Sequence, residues 1–369
     1  MTVTRLEIAG YRSVRRLVLP VHPVTVVVGP NGSGKTNLYR ALYLLQAAAE
    51  GRLARTLAEE GGTPSVVWAG PREHKKPVRM TVGVTLDDEL AYELSCGIVP
   101  MDPSQPATLF LLDPEVKEEH LWALSGGRRA VLMERKDRTA FLRDSEGKRV
   151  TFPTQLWSAE SVLDQLAEPQ RFPRLSEVQR TLKAWRFFHQ FRTDLEAPAR
   201  QPQIGVRTTA LAHDGRDLAA ALGTIQEIGD ARGLAKALDD AFPGAELEVE
   251  APQGRFSLAL RMPGLSRPMA ASELSDGTLR YLCLLAALLS PRPPPFVALN
   301  EPETSLHPDL LGPLSRLIVD AAKHSQIWVT THAEALAEAV SRRTGYEPVR
   351  LVKHGGATEV EGTAVREEE

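Results

Sequence analysis

"VVVGPNGSGKTNLYRAL", residues 26–42, decides how the rest of the chain is read. Three consecutive valines run into a glycine-rich turn, and the turn runs into a helix-forming segment. Val26, Val27 and Val28 suit a buried parallel strand, because a strand covered on both faces is apolar at every position. The pattern G-x-x-x-x-G-K-[ST] is met by Gly29, Gly34, Lys35 and Thr36. Glycines let the backbone curl until its amides converge on phosphate oxygens, and the helix N-terminus adds partial positive charge. Such a loop binds a nucleotide, with Lys35 reaching the β- and γ-phosphates and Thr36 ligating Mg²⁺. The segment "TNLYRALYLLQAAAEGRLARTLAEE", 36–60, reads as one helix with an apolar face at Leu38, Leu42 and Leu45. The competing reading is an ordinary strand-turn-helix corner with chance glycines. Strand, loop, lysine, hydroxyl and helix together disfavour it.

Composition sets the outer bounds. With 369 residues, 43% hydrophobic and 25% charged, the chain has a normal globular balance and room for one large or two ordinary domains. The longest apolar run, "YLCLLAALL" at 281–289, is too short to span a bilayer, and "MTVTRLEIAG" has no secretory apolar region. A membrane role is not expected, and a cytoplasmic location is. Cys96 and Cys283 are too few for a disulfide framework or a metal cluster, which fits a reducing compartment. A formal net charge of −3 gives no global field for nucleic acid, so any such binding needs a local patch.

The segments downstream of the loop set the class. No N-K-x-D segment for guanine is present. The acidic strand comes late: "PFVALNEPETSLHP" gives Phe296–Leu299 as a buried strand ending at Asn300 and Glu301. Compact phosphate-loop kinases and AAA+ motors place that strand much sooner, so a large segment is inserted. Just before it, "ELSDGTLRYLCLLAALLSP", 273–291, reads as a helix with Ser275 as N-cap, Gly277 open to close approach by another molecule, and a buried stripe at Leu279, Leu282 and Leu285. Just after it, "SQIWVTTHAEAL" gives a strand that delivers Thr331 and His332 to the same sheet edge, since parallel strands present ligand residues at their carboxyl ends.

The ordered set "GPNGSGKT", "LSDGT", "NEPETSLHP" and "TTH" resembles the Walker A, signature, Walker B with D-loop, and switch-histidine elements of ABC-type ATPases. "LEIAGYRSV" and "GKTN" are similar to the RecF/SMC/Rad50 branch and its small bacterial relatives, the AAA_21 and OLD-like group. The likeness covers about 1–95 and 205–369. It implies ATP and Mg²⁺ as cofactors, hydrolysis to ADP and phosphate, and heads that dimerise head to tail. It also implies roles residue by residue. Gly29, Asn31, Gly32, Ser33 and Gly34 supply the cradle, with Lys35 and Thr36 at the phosphate and Mg²⁺ positions. Ser275, Asp276 and Gly277 form the signature that touches the partner's ATP. Glu301 matches the catalytic base, and His332 the γ-phosphate switch. Without the other motifs, His332 reads equally well as a core histidine at a strand end.

One position departs from that pattern. Asn300 stands where an aspartate usually serves the Mg²⁺ shell; its amide oxygen still accepts from a metal-bound water, without the full charge, so the enzyme is expected to be slow. Asp276 in place of a glycine suits the first turn of a helix.

The middle lacks the heptad arms of SMC and Rad50, and its prolines recur at 100, 103, 106, 114, 153, 169, 173, 198 and 202. "RRAVLMERKDRTAFLRDSEGKRVTF" reads as short strands joined by "DSEG", and "LSEVQRTLKAW" as a helix. Between Arg171 and Arg207, eight Arg/Lys face three acids, with aromatics in "AWRFFHQF". That composition can hold a nucleic-acid strand by phosphate contact and stacking. Equally, Trp185, Phe187, Phe188 and Phe191 can be core residues with arginines around them, the blander and favoured reading. Downstream come two amphipathic helices, a strand pair and, at the end, an acidic "REEE" expected to fray.

The expected fold is α/β: an ABC-type phosphate-loop ATPase head with a mixed sheet core and an inserted α+β/helical lobe. Its core halves are 1–95 and 205–369, and the lobe is 96–204. The expected assembly is a homodimer through composite ATP sites, acting on DNA or a partner protein in repair or defence. Two other classes stand beside it: an ABC transporter motor subunit, and a slow or non-hydrolysing ATP-dependent sensor or scaffold.

Overall fold

The computed structural model describes residues 1–71, 78–98, 109–110, 112–152, 156–166 and 168–362. The chain forms two compact units. Met1–His22, Gly29–Trp185 and Arg350–Glu369 make the first, and Pro23–Val28 with Arg186–Val349 make the second. Prolines 100, 103, 106 and 153 and the "REEE" tail lie outside the described residues.

The first unit is built on an antiparallel sheet. Its strands are β1 (Val3–Tyr11), β2 (Val14–Pro20), β4 (Arg79–Leu86), β5 (Leu90–Gly97), β6 (Glu115–Ser125), β7 (Arg128–Lys136), β8 (Thr139–Arg143) and β9 (Arg149–Thr151), in the order β2-β1-β4-β5-β6-β7-β8-β9. The sheet therefore continues past residue 95 into the middle segment, where "DSEG" makes the expected turn between β8 and β9. The unit also holds α1 (Lys35–Ala49), α2 (Leu53–Glu59), α3 (Thr63–Val66), α4 (Val162–Gln165) and α5 (Pro173–Ala184), with a closing hairpin of β17 (Val349–His354) and β18 (Ala357–Val360). Between 96 and 204 the longest helix among the described residues is the twelve-residue α5, far short of a coiled-coil arm.

The single helix expected over 36–60 is in fact two. Gly51 adopts φ 73°, the left-handed region where glycine has no steric cost, and the amide of Arg52 turns back to the carbonyl of Ala47 at 2.8 Å. That closing bond ends α1, and α2 starts afresh.

In the second unit, β3 (Val24–Val28), β10 (Arg186–Phe188), β15 (Phe296–Asn300) and β16 (Gln326–Thr331) form a parallel sheet in the order β10-β15-β16-β3. All five residues of β3 and all six of β16 are buried, as strands covered on both faces require. Around this sheet lie α6 (Leu218–Ile228), α7 (Ala231–Ala241), α8 (Asp276–Leu288), α9 (Leu311–Ala321) and α10 (Glu334–Thr344). Leu279, Leu282 and Leu285 of α8 enter the same core as Val26, Val297 and Ile327. A small antiparallel sheet of β11 (Gln203–Ile204), β13 (Arg255–Arg261) and β12 (Glu246–Glu250), with β14 (Met269–Ala270) on β13, completes the unit.

The basic and aromatic stretch is core. Trp185, Phe187, Phe188 and Phe191 are buried, so none of these rings offers a stacking platform. Its arginines are largely paired: Arg171 with Glu168, Arg174 with Glu89 and Glu177, Arg192 with Asp194, and Arg207 with Glu227.

Candidate functional site

The loop of residues 29–36 has the backbone a phosphate cradle needs. Gly32 and Gly34 take φ 79° and 107°, and a Cβ on Gly34 would meet the Thr358 hydroxyl at 2.2 Å. Lys35 is only 4% exposed, and its Nζ donates to the carbonyls of Gly29 at 2.7 Å and Pro30 at 3.1 Å. The lysine thus spans the loop it belongs to. The fifteen-residue α1 begins without a side-chain cap, and the buried Ser33 hydroxyl has no hydrogen-bond partner. A helix start without a side-chain cap, an orphan hydroxyl and a cation together suit an anion such as a triphosphate.

A chain of hydrogen bonds steadies this loop. Asn37 donates to the Ser13 hydroxyl at 2.8 Å, and the Ser13 and Thr358 hydroxyls pair at 2.7 Å. Thr358 in turn reaches the carbonyl of Ser33 at 2.8 Å. No sequence motif singles out Ser13 and Thr358, because they lie far from the loop along the chain.

In the second unit, β15, β16 and β3 end on one edge. Gly29 comes directly after β3 in the chain. Asn300 closes β15, and its Oδ1 accepts from the Thr330 hydroxyl at 2.8 Å. Glu301 has φ 47°, a strained conformation for a side-chain-bearing residue. Its main chain is gripped: the amide donates to the Thr330 carbonyl at 2.8 Å, and the carbonyl accepts from Arg280 Nη2 at 3.2 Å. Burial pushes the Arg280 guanidinium below its ordinary value, while Cys283, Glu303 and Glu301 oppose that shift. His332 is 49% exposed, so it is no core histidine, and its Nδ1 lies 3.1 Å from the buried Glu303. Among the described residues no group of three or more His, Cys, Asp or Glu is arranged to hold a metal.

Ser275 caps α8 as expected, its Oγ accepting from the Thr278 amide at 3.1 Å, and Ser275 and Asp276 are exposed. Gly277 has a reason inside its own chain. A Cβ there would lie 2.6 Å from the carbonyl of Ser305, so the glycine lets α8 close on the turn after Glu301. Arg200, one base among eight in sequence, is the residue that organises this segment. It pairs with Asp276 at 2.6 Å and donates to the carbonyls of Leu274 at 2.7 Å and Ala271 at 3.2 Å.

A glycine-rich loop that follows β3 in the chain and, in the second unit, a parallel sheet bearing an acidic turn and a histidine with a capped helix fit an ABC-type phosphate-loop ATPase head of the RecF/SMC/Rad50-like kind. The chain belongs to the AAA_21 family, described as "AAA domain, putative AbiEii toxin, Type IV TA system", whose model matches residues 24–338. It is 27% identical to the DNA replication and repair protein RecF of Streptomyces avermitilis over 95% of this chain and 86% of that one. A shorter part, 44% of the chain, is 33% identical to 58% of the zinc import ATP-binding protein ZnuC of Cereibacter sphaeroides. In fold it is similar to an Smc head solved with the C-terminal winged-helix domain of ScpA, at TM-score 0.58 and 16% identity, covering 98% of this chain and 97% of that one. Among the described residues, no helix is long and apolar enough to cross a membrane.

Proposed function

We propose that the chain binds ATP with Mg²⁺ through residues 29–36 and hydrolyses it, and that two copies close head to tail on the nucleotide. The observation that carries this reading is the parallel run β15-β16-β3, whose shared edge bears Asn300, Glu301 and His332 while β3 leads straight into the loop. In this reading Lys35 holds the β- and γ-phosphates, and Glu301 takes the proton of the attacking water. His332 contacts the γ-phosphate. Thr36 and Asn300 would hold Mg²⁺, which neutralises phosphate charge when bound. Asn300 brings no charge of its own, which makes for slow turnover. Ser275, Asp276 and Gly277 complete the partner copy's site, while the segment 96–204, expected as a lobe, supplies β6–β9 to the antiparallel sheet and β10 to the parallel one. The name of the RecF relative supports a DNA-related task, and in this reading the chain works in the cytoplasm. The ZnuC likeness favours a second reading, a transporter motor, but it spans less than half of the chain; recovery of the protein with membranes would support it.

The head-to-tail claim is tested with Ser275→Arg, which should leave ATP binding intact while removing ATP-induced dimerisation and hydrolysis. Mixing it with inactive Lys35→Ala chains places both lesions at one composite site and neither at the other, so part of the hydrolysis should return. A full-rate Ser275→Arg enzyme that stays monomeric with ATP would refute the shared site.

A further inference from the structure

The stretch "NEPETSLHP" carries two glutamates. Glu301 is half-buried, whereas the side chain of Glu303 is only 4% exposed. One oxygen of Glu303 makes three contacts: it accepts from the Thr331 hydroxyl at 2.5 Å and the His332 amide at 3.0 Å, and it lies 3.1 Å from His332 Nδ1. The other oxygen is buried and has no hydrogen-bond partner.

Burying a carboxylate costs free energy, and leaving one of its oxygens unsatisfied costs more. Capping the end of β16 would need only the hydroxyl and the amide. The contact with the imidazole adds little to the fold, because that ring is half exposed. Its effect falls on the ring itself.

We propose that Glu303 is a positioning residue that locks His332 with its Nδ1 proton turned inward and presents Nε2 to the γ-phosphate. This rests on the ATPase reading above. An ionised carboxylate is acceptor-only, so the nitrogen facing it carries hydrogen. Gripping amide and ring of the same residue fixes the ring's orientation, as carboxylates behind functional histidines do. With Nδ1 turned to the carboxylate, Nε2 is the ring nitrogen left facing outward, and when it also carries hydrogen it can donate to a phosphate oxygen. Arg280 of α8 feels the charges of both Glu303 and Glu301, which ties the signature helix to the same cluster.

The test uses the full chain with ring-¹⁵N-labelled histidine, the His332 signals being identified by their loss in His332→Gln. Without nucleotide, the neutral ring should be in the Nδ1–H form, and Glu303→Gln should give a mixture of tautomers. In steady-state hydrolysis Glu303→Gln should lower kcat at least ~10-fold with KM for ATP changed less than about threefold, and adding His332→Gln should lower it less than about threefold further. An Nε2–H ring in the unmodified protein overturns the proposal, and that result depends neither on turnover nor on the variant folding. Unchanged kcat in Glu303→Gln overturns it as well. If the unmodified chain does not hydrolyse ATP, the ATPase reading fails, while the tautomer still decides whether Glu303 sets the ring.

Discussion

Replacing Arg200 with alanine should unhinge the segment that leads into α8, and the cost can be worked out contact by contact. The Arg200 side chain is 4% exposed and its partner Asp276 is 59% exposed. An ion pair with so exposed a member is worth under ~1 kcal/mol. The backbone acceptors matter more. Ala271 and Leu274 are buried, and their carbonyls would lose a charged donor, as would the carbonyl of Thr193 at 2.9 Å. Two orphaned buried carbonyls cost about 1–1.5 kcal/mol each, near the low end because water can enter the space left by the guanidinium. The lost packing of the aliphatic stem adds about 1 kcal/mol. Arg200→Ala should therefore destabilise the protein by about 3–4 kcal/mol and Asp276→Asn by under ~1 kcal/mol. Urea unfolding of both variants, with midpoint and slope read separately, measures this. If Asp276→Asn costs as much as Arg200→Ala, or if Arg200→Ala costs less than about 1 kcal/mol, the carbonyls are not what Arg200 holds.

Gly34→Ala should abolish ATP binding in equilibrium titration, since the new Cβ meets Thr358 in a backbone conformation of φ 107° that alanine avoids; binding within about threefold of the parent would show that the loop relaxes freely. Asn300→Asp should raise kcat or lower the Mg²⁺ needed for half-maximal rate, because a carboxylate beside a dication replaces a neutral amide. A large loss of rate would mean the site is built around the Asn300–Thr330 hydrogen bond.

The elements that position the site could be read from local pattern. Val26–Val28, Phe296–Leu299 and the Leu279, Leu282, Leu285 stripe announce buried strands and a buried helix face by composition and spacing, and Ser275 caps as its type predicts. The break at Gly51 could not be read, because the alanine- and leucine-rich run on either side reads as continuous helix, and only the left-handed φ and the backward bond from Arg52 show it. The supporting residues were not legible, for a physical reason. Glu303 and Arg200 look like surface charges in any linear reading; their roles arise from burial and from partners tens of residues away. Ser13 and Thr358 meet across nearly the whole chain. The basic stretch was open in composition, since interleaved arginines and aromatics look alike on a nucleic-acid surface and around a core; burial of its four rings bears out the favoured core reading. The reason for Gly277 was also hidden, because the carbonyl it accommodates belongs to Ser305 of the same chain.

Single-turnover hydrolysis of limiting ATP by excess protein, with bound nucleotide and released phosphate followed together, tests the central claim most directly. The unmodified chain should bind ATP and release phosphate. Lys35→Ala should bind none, having lost the cation that spans the loop, and Glu301→Gln should hold ATP without releasing phosphate. Phosphate release by Glu301→Gln at the parent rate would contradict the assignment of the base and, with it, the hydrolytic edge of the β15-β16-β3 sheet.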